Sequence, residues 1–153
     1  MSDVMDRVSE AGHDTVLLAA RVAMAAIFLP SGFGKLTHLA AFAGMLTQHG
    51  VPDAALLAPI GACVEFFGAL LILTGTRLRW AALMMAIFTL VAALISHRFW
   101  ELADAAARAN QHIHFMKNIA IIGGFLSLFV AGAGAYSVDH WLANRLRLAQ
   151  RWR

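Results

Sequence analysis

The chain has 153 residues, of which 60% are hydrophobic and 14% charged, and its net charge is +3. That leaves too little polar side-chain surface to clothe a water-soluble globule of this size, so the composition excludes an ordinary soluble domain and points to lipid as the solvent. The arginine excess lies at the ends of apolar segments and in the C-terminal stretch, where membrane topology and anionic lipid account for it, and nucleic acid is not an expected partner.

Residues 1–14 are polar and acidic, with no basic stretch leading into a short apolar core and a small-residue cleavage site, so no removable signal peptide is expected. Four apolar segments follow, at residues 16–33, 56–73, 80–95 and 119–135. Each holds roughly 16 to 20 residues, which at a helical rise of about 1.5 Å crosses the hydrocarbon layer of about 30 Å. The runs are continuous rather than alternating and rich in Ala, Leu, Met and Ile, so they read as helices and not as strands. The expected fold is an all-α membrane protein, a four-transmembrane-helix bundle forming one domain over residues 15–142. A polar N-terminus of residues 1–14 precedes it and an Arg-rich tail of residues 143–153 follows.

The connections differ in kind. Leu36, Leu39, Ala43 and Leu46 recur at helical spacing between the first two spans, which predicts a short amphipathic helix along the interface before His49-Gly50-Val51-Pro52 turns the chain. The second connection, residues 74–79, is a tight hairpin. The third, residues 97–117, is longer and polar, carrying Arg98, Glu101, Asp104, Arg108, His112 and His114. Cys63, the single cysteine, rules out an internal disulfide or a self-contained cysteine-ligated zinc or iron–sulfur centre, and reads as a small buried residue.

An even number of spans puts the two termini and the second connection on one side, with Arg7, Arg77, Arg79, Arg145, Arg147, Arg151 and Arg153. The other side holds Lys35, Arg98, Arg108 and Lys117. The positive-inside rule places both termini in the cytoplasm and the first and third connections outside.

Ionisable residues inside the spans are costly and need partners. Arg21, Ala25, Phe28, Gly32 and Lys35 form one stripe of the first helix, which should face protein. Glu65 shares its face with Ala58, Gly61, Ala62, Gly68 and Ala69, small residues that let membrane helices approach closely. Counting rise from the span ends puts Arg21 and Glu65 about 5 Å apart in depth, so the expected arrangement is an Arg21–Glu65 ion pair in the core. Such a pair either fixes helix register or serves chemistry. The outer end gathers Lys35, His97, His112, His114, Lys117 and Asn118 as candidate ligand-binding groups. His112 and His114, with Glu101 and Asp104 nearby, form either a metal or proton-transfer cluster or simply a solvated loop. Trp100 and Trp141 are expected interfacial anchors.

Taken in order, Arg21, Gly32 and Lys35-Leu36, then Glu65-Phe66-Phe67-Gly68 with Gly75 and Arg79, then Phe115-Met116-Lys117-Asn118 with Gly123-Gly124, and finally the stretch from Gly132 to Asp139, resemble the DoxX family. The resemblance spans residues 15–142. It implies a four-helix inner-membrane protein linked to quinol oxidation, thiosulfate:quinone oxidoreduction and membrane redox complexes, with Arg21, Lys35, Glu65, Lys117 and Asn118 as the polar positions of family type.

Three functions remain open on the sequence. The first is a redox-associated subunit that binds a quinol or quinone and works with a partner oxidoreductase, with Glu65 and Arg21 as the catalytic candidates. Any metal or haem would then depend on the outer histidines. The second is a membrane scaffold that recruits a partner enzyme through the tail, where Arg145, Leu146, Leu148, Ala149 and Trp152 suit a basic amphipathic helix. The third is a small-solute or metal transporter, which as a four-helix chain needs a homo-oligomer to enclose a route.

Overall fold

The computed structural model describes residues 2–151, with side chains described over residues 12–147. These residues are almost wholly helical: α1 (Ser2–Thr37), α2 (Leu39–Gln48), α3 (Ala54–Thr74), α4 (Leu78–Ser96), α5 (Ala105–Ala131) and α6 (Val138–Arg151), with one 3-10 turn at Phe99–Glu101 and no strand. Four stretches are long and apolar enough to cross a bilayer: Gly12–Thr37, Ala54–Thr74, Leu78–Glu101 and Ala105–Ala131. The four-helix membrane bundle and the short helix between its first two spans are thus as the hydropathy pattern predicts. Two boundaries differ. α1 runs back through the polar N-terminal residues as one continuous helix, and α5 begins at Ala105, so the polar stretch before the fourth span is mostly helix.

The elements stop where the chain chemistry stops them. α3 ends in a Schellman-type cap in which Gly75 N donates to Ile72 O and Thr76 N to Leu71 O, and this requires the left-handed φ of 67° at Gly75. α5 starts at Asp104, whose Oδ1 accepts from Ala107 N at 2.7 Å. α6 starts at Ser137, whose hydroxyl accepts from His140 N at 3.2 Å.

α1 packs on α3, α3 on α4 and α4 on α5, and α5 returns to touch α1. Small residues set the spacing. A Cβ at Gly32 of α1 would lie 2.7 Å from the backbone nitrogen of Phe66, and one at Gly68 of α3 would lie 2.4 Å from the sulfur of Met85. Without that bulk the helix backbones close to van der Waals contact, the main attraction between helices in lipid. Phe28, Ile72, Met85 and Phe125 fill the centre, with the Phe28 and Phe125 rings 5.5 Å apart. Cys63 is exposed on the outer face of α3, not buried as its residue type suggests.

Candidate functional site

At the end of the bundle away from the termini, the Lys35 ammonium meets the Glu65 carboxylate. The Glu65 side chain is 3% exposed and that of Lys35 29%, so the acid is sealed among helices while the base reaches toward the interface. The same ammonium sits 5.1 Å from the centre of the Phe42 ring on α2, a cation–π contact that ties the interfacial helix to the ion pair.

This pair replaces the Arg21–Glu65 pair expected from the sequence. Gly32 lies against Phe66, so Glu65 is level with the far end of α1. Arg21 lies eleven residues earlier in α1, about 16 Å away along the axis. Side-chain direction widens the gap. Helical side chains lean toward the N-terminus of their own helix, and α1 and α3 are antiparallel, so Arg21 and Glu65 lean apart while Lys35 and Glu65 lean together.

Lys35 also stands at the rim of an apolar slot of about 260 Å³ between α2, α3 and α4. Phe42 and Met45 of α2, Ile60 and Gly61 of α3, and Phe88 and Ala92 of α4 line it. Its floor is open because Gly61 has no side chain; a Cβ there would touch nothing closer than the Phe42 ring at 3.7 Å. An apolar slot with one charged group at its mouth suits a flat, lipid-soluble ligand with a polar edge.

The histidines form a separate cluster beside the slot. His97 stacks on His114 with ring centres 5.3 Å apart, and its Nδ1 donates to Gln111 Oε1 at 2.8 Å. His112 lies on a different face of α5 against Phe99, with centres 4.8 Å apart. His112 and His114 are therefore not brought together, and among the described residues no three His, Cys, Asp or Glu side chains converge as a metal set. Lys117 is exposed and Asn118 half-buried on α5, and neither forms a side-chain hydrogen bond among the described residues.

Arg21 is fully buried at the opposite end. Its Nη1 donates to Leu73 O at 3.1 Å and its Nη2 to Tyr136 O, while Nε has no partner. The guanidinium occupies the space a side chain at position 75 would take: a Cβ on Gly75 would lie 2.3 Å from Nη1. Arg21 therefore staples the end of α3 to the segment joining α5 and α6. Sequence reasoning also missed Phe42, the place of Gly61 in the slot and the capping role of Asp139. The last accepts from Arg77 N at 2.9 Å and Leu78 N at 3.3 Å, capping α4 from sixty residues away. Its only sequence signal is its place in the stretch from Gly132 to Asp139.

Residues 16–98 match the family model described as DoxX. The chain is 38% identical over 133 residues to the inner membrane protein YqjF of Escherichia coli (strain K12), covering 87% of this chain and 96% of that protein. It is 35% identical over 129 residues to the inner membrane protein YphA of the same organism, covering 84% and 91%. No solved structure gives a significant match.

Proposed function

The chain belongs to the DoxX family, and on that premise we propose that it is a quinone-binding subunit of a membrane redox assembly. The observation that carries this reading is the Lys35 ammonium, held by Glu65 at the mouth of an apolar slot. The ring of a quinol or quinone enters the slot between α2, α3 and α4, and its isoprenoid tail leaves toward lipid. Lys35 donates a hydrogen bond to a ring oxygen, and Glu65 keeps the ammonium oriented and serves as the nearby proton acceptor. Oxidation of a quinol to the quinone releases two electrons and two protons. The electrons pass to a partner oxidoreductase, and the protons leave by way of Glu65 and the interfacial histidines His97 and His114. By the arginine distribution the termini face the cytoplasm and the slot opens at the outer leaflet.

A test is titration of the full chain in mild detergent with a short-chain quinone, followed by tryptophan fluorescence. Saturable quenching is expected. Gly61→Leu, which places a side chain in the slot, should weaken binding about tenfold or more through steric exclusion. Quenching that never saturates, or an unaffected Gly61→Leu protein, rejects the reading.

A second reading, a scaffold that recruits a partner enzyme, is favoured by α6. That helix exposes Trp141, Leu142 and Leu146 beside Arg145, whose guanidinium lies 5.0 Å from the Trp141 ring. Removing residues 138–153 separates the two readings: a scaffold loses its partner while the slot still binds quinone.

A further inference from the structure

At the termini-bearing end the bundle opens into a second cavity, of about 620 Å³, beneath the segment that joins α5 to α6. Arg77 and Arg79, from the start of α4, line it together with Trp80 and His140. Two acids, Asp14 and Asp139, also line it, and both are engaged by backbone. Asp139 accepts from Arg77 N and Leu78 N, and Asp14 accepts from Ala135 N at 2.9 Å. Among the described residues, neither the Arg77 nor the Arg79 guanidinium has a protein partner. Two guanidinium groups thus face one cavity, neither of them ion-paired to the two carboxylates that share its wall.

The depth of this cavity is marked by Trp80, which is 71% exposed at the first turn of an apolar span, where indole rings settle at the boundary of hydrocarbon and head groups. An apolar groove of about 300 Å³ lies next to the cavity, along the lipid-facing seam between α1 and α5. It is open because Ala20, Ala23 and Gly124 carry almost no side chain. Groove and cavity are neighbours in the structure. Ala131 of the groove precedes Gly132 of the cavity, and Leu17 of the groove lies 3.1 Å from the Cβ position of Gly134 in the cavity wall.

We propose that this is a binding site for an anionic phospholipid, with the phosphodiester between Arg77 and Arg79 and one acyl chain in the α1/α5 groove. Guanidinium groups match phosphate oxygens in a bidentate fork, and two that are not ion-paired keep their donors free for it, while a head group that brings no cation of its own adds no repulsion against them. Free phosphate shares the head chemistry but leaves the groove empty, so the adjacent groove points to the lipid. The site lies at the opposite end of the bundle from the quinone slot and does not depend on it.

Native mass spectrometry of the full chain in mild detergent tests the proposal, using equal mixtures of phosphatidylglycerol and phosphatidylcholine of matched chain length. The wild-type chain should retain phosphatidylglycerol preferentially. Each arginine near a membrane surface is worth about a fivefold change, so Arg79→Gln should cut the preference about fivefold and Arg77→Gln/Arg79→Gln about 25-fold. Arg145→Gln/Arg147→Gln, which removes the same charge from α6, should leave it intact. Ala23→Phe, at an exposed position in the groove, should lower retention of both lipids without changing their ratio. Equal retention of the two lipids by the wild-type chain overturns the proposal. So does a preference that survives the double substitution, an equal loss in the α6 variant, or unchanged retention by Ala23→Phe. Full displacement of phosphatidylglycerol by millimolar inorganic phosphate reassigns the cavity to the free anion.

Discussion

Removing the two members of the Lys35–Glu65 pair should have unequal costs, and the burial of the pair says which is worse. In Lys35→Met the carboxylate stays behind with a side chain only 3% exposed, and among the described residues no other cation is ion-paired to it. An uncompensated charge of that kind costs about 3–5 kcal/mol. In Glu65→Gln the stranded group is the ammonium, already 29% exposed and in the last turn of α1. Its stem can swing toward the head groups, as lysines near span ends do, so the loss shrinks to about 1–2 kcal/mol, near that of a hydrogen bond to a charged group. The double variant Lys35→Met/Glu65→Gln removes both charges and should be less damaged than Lys35→Met alone, with a coupling of about 2–3 kcal/mol. Unfolding in mixed micelles by increasing sodium dodecyl sulfate, followed by tryptophan fluorescence and circular dichroism, measures all four proteins. Equal costs for the two single variants, or a double variant equal to their sum, refutes the pairing.

At the other end, Gly75→Ala forces a left-handed conformation on a residue with a Cβ and drives Arg21 off two carbonyls, for a loss of about 4 kcal/mol or more. The apparent Tm should fall by roughly 10 °C, whereas Gly123→Ala, which meets nothing within 4 Å, should be neutral or slightly stabilising. Asp139→Ala takes the cap from α4 at a cost of about 1 kcal/mol, seen as faster hydrogen exchange at Arg77 and Leu78. In a Cys63→Ser background, an impermeant maleimide should label Gln48→Cys on intact spheroplasts and Arg145→Cys only after lysis; the reverse pattern overturns the orientation drawn from arginine counting.

Hydropathy was a good guide to the spans because in lipid every backbone polar group must be satisfied within its own helix, leaving continuous apolar runs one reading. It was a poor guide to depth. The apolar run of α1 begins at Val16, yet Arg21 lies beside Leu73, the last turn of α3, so the start of a run is not the edge of the membrane. The polar residues from Arg108 to Lys117 read as a connection for a related reason. They belong to a helix that starts before its hydrocarbon-spanning part, and the Asp104-Ala-Ala-Ala-Arg108 stretch, an N-cap followed by strong helix formers, was the available signal. Lys35, Glu65 and His97 could be singled out by residue type, but their partners depended on which way neighbouring helices run.

That antiparallel arrangement also explains how a buried arginine is tolerated without an acid. Leu73 O belongs to the last turn of α3, where unpaired carbonyls carry the negative end of the helix dipole. Tyr136 O comes from the non-helical segment before α6, whose carbonyl likewise lacks a helical donor. Arg21 therefore meets two strong acceptors whose own hydrogen-bonding need it fills, and the bundle spends no carboxylate on it. Had Arg21 required Glu65, the acid could not have reached the far end, and Lys35 would face the slot without a counter-ion. The backbone staple at one end is what leaves the acid available to the ion pair at the other. Arg21→Gln should accordingly loosen the segment from Gly132 to Ser137 in hydrogen exchange while leaving the proposed quinone binding at the slot unchanged. A matched loss at both sites would show that the two ends are not independent.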